Sequence, residues 1–117
     1  MRGYKIIQED GKYSFQLIPR NNNCQCVGWS KQFDSQLECV QGVKQLRNLI
    51  VDNQIKTLDS PYVTFIKGEK YTHFEYCVNG EMLFRSREYN STTKSTCNAR
   101  VKAIFNQIES YTSKQVY

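Results

Sequence analysis

"KQFDSQLECVQGVKQL", residues 31–46, and "REYNSTTKSTCNARVKAIF", residues 87–105, carry nearly the same message: a strand end, an aromatic, a hydroxyl-rich helix start and an amphipathic helix. In the first stretch Ser35-Gln-Leu-Glu38 is a capping box. Its serine oxygen can accept an N–H of the first turn while Glu38 reaches back to the cap's own N–H. Behind it Cys39, Val43, Leu46 and Ile50, with Val40 and Leu49 beside them, recur at three- and four-residue spacing and predict one apolar stripe. In the second stretch Cys97, Val101, Ile104, Phe105 and Ile108 repeat that stripe behind a cap that is Ser91, Thr92 or Thr93. Such self-similarity decides the fold, because a missed repeat misreads everything around it.

Working outward, Tyr13-Ser-Phe15-Gln-Leu17 aligns with Thr72-His-Phe74-Glu-Tyr76, then Trp29-Ser30-x-x-Phe33-x-Ser35 with Arg85-Ser86-x-x-Tyr89-x-Ser91, then Cys39 with Cys97, at offsets of 59, 56 and 58. The changes in offset fall in the turn "PRNNNCQ" against "NGE" and in the helix start "STTKSTC" against "SQLEC", where insertions disturb least. Each copy opens with a strand, Tyr4–Gln8 and Tyr62–Lys67, followed by "EDGK" or "KGEK", in which Gly11 and Gly68 suit the positive φ of a tight turn. The next strand alternates with period two: Tyr13, Phe15 and Leu17, or Phe74, Tyr76 and Val78, share a core face. Asn79-Gly80 marks a two-residue hairpin into a third strand, Glu81–Arg85, and the counterpart in the first copy is Gln25–Ser30.

A three-stranded sheet with one helix buries too little to stand alone, so the two copies are expected to share one core. The reading is an α+β fold of two tandem β-β-β-α repeats packed as one pseudo-twofold domain. Repeat 1 spans about 4–53, a linker with boundary Pro61 about 54–61, repeat 2 about 62–110 and a C-terminal tail 111–117. The tail, "SYTSKQVY" with its lead-in, either stays flexible or adds an edge strand.

The paired helix starts "SxxFDSQLECVQGV" and "SxxYNSTTKSTCNARV", each behind a Phe-containing hairpin, resemble the YegP family of small tandem-repeat proteins over residues 4 to 108. This chain keeps the family's Asn-Gly turn at Asn79-Gly80 but has "RNNNCQ" in the first copy. It has Gln36 where the family shows a lysine, and it keeps the helix glycine at Gly42 with Ala99 opposite. The resemblance implies a fold and no established activity, and it transfers no catalytic residue.

Composition bounds the chemistry. The chain has 117 residues, a net charge of +5 and 13% aromatic residues. No stretch approaches the roughly 18 consecutive apolar residues of a membrane span, and no apolar leader follows Met1, so a cytoplasmic protein is expected. The five cysteines, an odd number, are then expected to be reduced, most of them as small core residues. His73 is the only histidine. It shares a strand face with Cys77, but at roughly 3.3 Å per residue the two lie about 13 Å apart. Cys24-x-Cys26 with His73 and Cys77 lacks the knuckle spacing of a structural zinc site. The six glycines are dispersed and form no phosphate loop. The expectation is therefore no catalytic residue, no metal site and no cofactor.

What remains is binding. The leading expectation is a non-enzymatic binding or assembly module, with Trp29 as anchor of an interface to a protein partner or a second copy. The alternative is a nucleic-acid-binding protein that uses a basic three-stranded sheet face. There Lys67, Lys70, Arg85, Arg87 and Lys94 would meet phosphates, although Glu69, Glu75, Glu81 and Glu88 are interleaved with them. No membrane role is expected.

Overall fold

The computed structural model describes residues 2–19, 26–57, 59–90 and 94–116, without the side chains of residues 94–96. Along the chain run β1 (Gly3–Glu9), β2 (Lys12–Ile18), β3 (Gly28–Ser30), α1 (Gln36–Asp52), β4 (Val63–Lys67), β5 (Thr72–Val78), β6 (Glu81–Ser86) and α2 (Lys94–Ser113). The strands form one antiparallel sheet in the order β1-β2-β3-β6-β5-β4. The fold is thus α+β, with two three-stranded meanders joined edge to edge through the short β3 and β6.

Local chemistry explains most of these elements. Asp10 and Gly11 (φ 53° and 76°) turn β1 into β2, and Asn79 and Gly80 (φ 53° and 78°) turn β5 into β6. Both pairs have the left-handed geometry that matches strand twist. Gly68 does not take the positive φ expected of it. Its N–H donates to the Tyr71 carbonyl at 3.0 Å, and a Cβ there would meet that same oxygen at 2.6 Å, so close approach, not handedness, requires glycine. The third strand of the first meander, expected from Gln25, is shorter: β3 begins at Gly28, and Gln25 lies outside the described residues.

β3 is short because the chain leaves β2 at Ser30. Lys31 donates its N–H to Leu83 in β6, while Tyr13 and Phe33 close a separate bridge. That departure strands the Phe15 N–H inside the core. The Ser30 hydroxyl accepts it at 2.9 Å and donates to the Lys31 carbonyl at 2.7 Å. In the other meander the Ser86 hydroxyl accepts from Phe74 N–H at 3.0 Å and donates to the Arg87 carbonyl at 2.8 Å, with Thr72 and Tyr89 closing the bridge.

Helix α1 is capped by Ser35, whose Oγ accepts the Glu38 N–H at 3.1 Å. The return half of the capping box falls one residue earlier than expected: the Glu38 carboxylate accepts from the Asp34 N–H at 3.3 Å, not from that of Ser35. Ser91, Thr92 and Thr93, the expected caps of α2, lie outside the described residues. Helix α2 runs on through Ser113, past the point where a tail was expected to begin. Tyr111 is buried, and Gln115 then bridges Tyr4 in parallel on the outer side of β1. Within the expected linker, Ile55 is fully buried; a lone apolar residue among polar ones shows no period, so the pattern could not announce it.

Both helices pack on one face of the sheet, α2 against β1 and β2 as well as α1. The core between the layers draws on both halves of the chain, with Phe15, Leu17, Leu46, Ile50, Phe74, Tyr76, Phe84, Val101 and Ile108 all buried. Ring contacts run unbroken across it, from Phe33 to Phe15, Phe84, Tyr76, Phe74 and Tyr89, at centroid spacings of 5.7–6.4 Å. No described helix is long and apolar enough to cross a membrane.

Candidate functional site

Alternation along the strands sends Phe15, Leu17, Ser30, Phe84 and Phe74 to the helices and their neighbours to the opposite face. Among the described residues no helix covers that face. Register partners form a continuous row across all six strands: Lys5, Gln16, Trp29, Arg85, Glu75 and Thr64. Trp29 and Arg85 stand at its centre, where the two meanders meet.

Trp29 is half-buried, and the Arg85 guanidinium lies 4.9 Å from its ring centroid. Arg85 Nε donates to the Ser86 carbonyl at 3.2 Å, and its Nη2 faces the Glu88 carboxylate at 3.6 Å. That Nη2 is buried and makes no hydrogen bond. One strand over, His73 Nε2 and Glu75 Oε2 are 2.9 Å apart in a mostly buried pair. Ile7 and Ile66 extend the face outward, and Ile66 is 38% exposed. The result is an aromatic–cation platform flanked by a carboxylate and aliphatic side chains.

The cations that sequence patterning grouped together separate in space. Arg85 belongs to the platform. Lys67 pairs in register with the buried Thr72 and so lies on the helix side of β4, and Lys70 is exposed in the following turn. Arg87 stacks over the Tyr89 ring at 5.4 Å. Lys94 is the first residue of α2, and its side chain lies outside the described residues. The sequence pattern passed over Arg100, whose guanidinium also lies 5.4 Å over Tyr89. Its signal was available: the buried pairs Cys39 and Cys97, Val43 and Val101, and Leu46 and Ile104 are each 58 residues apart. Arg100, and not Ala99, therefore stands opposite Gly42.

Three of the thiols are held in their protonated form. Burial pushes Cys26 and Cys77 up, and pushes Cys39 up to about 11, so these side chains stay protonated at neutral pH. Cys24 lies outside the described residues. Among the described residues no three His, Cys, Asp or Glu side chains converge on a point where a metal ion would sit.

No protein-family model and no curated protein matches this sequence. Two solved structures match its fold. A UPF0339 protein from Shewanella oneidensis is 13% identical, with 90% of this chain and 82% of that one covered, at a TM-score of 0.67. YegP from E. coli, a protein of unknown function, is 11% identical, with 98% and 89% covered, at a TM-score of 0.66. At such identities the likeness speaks for architecture alone, and in architecture the resemblance read from the helix starts is borne out: this chain has a YegP-like fold.

Proposed function

We propose that the protein is a non-enzymatic binding module made of two tandem β-β-β-α units related by a pseudo-twofold axis, and that it engages a protein partner through the uncovered sheet face centred on Trp29. The register at the junction supports the twofold relation. Gly28 pairs with Ser86, Trp29 with Arg85 and Ser30 with Phe84, so exchanging each residue for the one 56 positions away returns the same three pairs. The axis would pass between Trp29 and Arg85. The matching hydroxyl bridges of Ser30 and Ser86 support it further.

The observation that carries the binding reading is a partly exposed tryptophan, braced by an arginine, at the middle of a six-stranded face that no described helix covers. A sheet face meant only for water favours Lys, Glu and Thr, whereas Trp and Arg are the residues that dominate contact energies between proteins. Nucleic-acid binding through this face is the weaker reading, because Arg85 is already engaged by Trp29 and Glu88, and Glu75 lies directly across from it.

Affinity capture from a cell extract with the intact chain and with Trp29→Ala tests the proposal, with circular dichroism as the check on folding. Specific proteins retained by the first and lost from the second, before and after nuclease treatment, are the expected result. Identical capture by both chains overturns it. Capture that depends on nuclease-sensitive material transfers the face to nucleic acid.

A further inference from the structure

The sheet has two edges, and the chain treats them differently. Beside β1 the C-terminal residues take the outward side: Tyr4 N–H donates to the Lys114 carbonyl at 2.9 Å, and Val116 N–H donates to the Tyr4 carbonyl at 2.8 Å. They fill the space beside Tyr4 through which another strand would have to run. β4, at the other end of the strand order, has no such cover among the described residues.

Which backbone groups β4 leaves open follows from two hydrogen bonds at its ends. Cys77 N–H donates to the Tyr62 carbonyl at 2.8 Å, and Gly68 N–H donates to the Tyr71 carbonyl at 3.0 Å. Both lie in the register that pairs Thr64 with Glu75 and Ile66 with His73, so Tyr62, Thr64, Ile66 and Gly68 turn their polar groups toward β5. Val63, Phe65 and Lys67 turn theirs outward. The Val63 N–H is taken by the Ser60 carbonyl at 3.1 Å. Among the described residues, the outward donors that remain are the N–H groups of Phe65 and Lys67, and the acceptors are the carbonyls of Val63, Phe65 and Lys67.

We propose that β4 pairs antiparallel with β4 of a second copy of this chain, about a twofold axis through Phe65, and so continues the six-stranded sheet into the next molecule. In that register each open donor finds an acceptor: Phe65 N–H meets the Phe65 carbonyl of the second copy, and Lys67 N–H meets its Val63 carbonyl. Only the Lys67 carbonyl is left over, at the end of the pairing, where water reaches it. The side chains agree with the register. Thr64 and Ile66, both exposed on the face that carries Trp29, fall opposite each other across the junction, and the partly exposed Phe65 rings meet at the axis. Lys67, the one charge in the strand, falls opposite Val63. It stands about 13 Å along the strand from its own mate, beyond the screening length of about 8 Å at physiological ionic strength. Edges kept single are blunted by central charges, prolines or bulges, and Val63–Ile66 contains none of them. The axis is perpendicular to the sheet, so both Trp29 faces stand on one side, although the pairing does not rest on what that face binds.

Sedimentation equilibrium and backbone-amide NMR over a concentration series reaching about 1 mM, the range suited to a small interface, test the pairing. The mass is expected to rise from 13.7 kDa toward twice that value, with the Phe65 and Lys67 amide signals shifting in step with it. Thr64→Lys combined with Ile66→Lys sets lysines against each other across the junction and should weaken the dimer about tenfold, and Thr64→Glu combined with Ile66→Lys should bring it back. Lys102→Glu, at an exposed position of α2, should leave it unchanged. Circular dichroism checks that the variants fold, and the wild-type series decides even where one does not. A chain still monomeric at the top of the series overturns the proposal and leaves the edge to a strand of another protein. A dimer indifferent to the paired lysines, or one whose concentration-dependent shifts fall away from β4, overturns it as well.

Discussion

At the scale of single residues, Ser30 and Ser86 stand in for partners that the ladder no longer supplies. Each sits where the chain peels away from its meander, and each bridges a buried N–H to the next carbonyl. Removing such a hydroxyl strands a buried donor, so Ser30→Ala or Ser86→Ala is expected to cost about 1–3 kcal/mol in urea-induced unfolding. Tyr76 makes the opposite case. Its hydroxyl is buried with no hydrogen-bond partner, and burial raises its pKa, so Tyr76→Phe should be neutral or stabilising in the same measurement. The serines were visible in the sequence as strand-ending residues before an aromatic. Their task was not, because it arises only where two strands part company.

At the scale of elements, α1 shows how a pattern of spacing becomes a docked helix. Ser35 starts it, and the stripe of Cys39, Val43, Leu46 and Ile50 is buried as the spacing predicts. Gly42 lets the tip of the Phe33 ring pack directly against the helix. Cys39 ties the docking of this helix to pH. Its folded pKa of about 11 stands above the ordinary thiol value of 9.0, because burial disfavours the thiolate. The native state therefore keeps a proton that the unfolded chain has already released. The associated stability is complete below about pH 9 and is lost as pH rises toward 11, by about 2–3 kcal/mol. Urea midpoints at pH 8, 9.5 and 10.5 under reducing conditions should fall in that order. Cys39→Ala should make the decline below pH 10 shallower, the raised Cys26 and Cys77 thiols supplying the remainder.

At the scale of the whole molecule, the meanders meet only along β3 and β6, while the ring series from Phe33 to Tyr89 crosses the junction beneath them. Neither half retains a closed core when separated, since Phe15 stacks on Phe84 and α2 rests on β1 and β2. Fragments 1–56 and 57–117 are thus expected to unfold without a cooperative transition when alone and to regain one when mixed in equal amounts. Circular dichroism with thermal melting reads the result, and a cooperative monomeric transition from either fragment would refute the shared core.

The sequence by itself determined the elements, their order and the side each turns inward, because caps, turns and periodic burial are encoded within a few neighbouring residues. It singled out Trp29 but not the surface around it, and it grouped Arg85 with Arg87 although they stand in different places. Only the tertiary structure decided that Trp29 and Arg85 pair at the centre of an uncovered face, and that Arg87 and Arg100 converge on one ring. Those encounters depend on the β3–β6 register and on the docking of α2. Both bring together residues far apart in the chain, whose meeting no local pattern specifies.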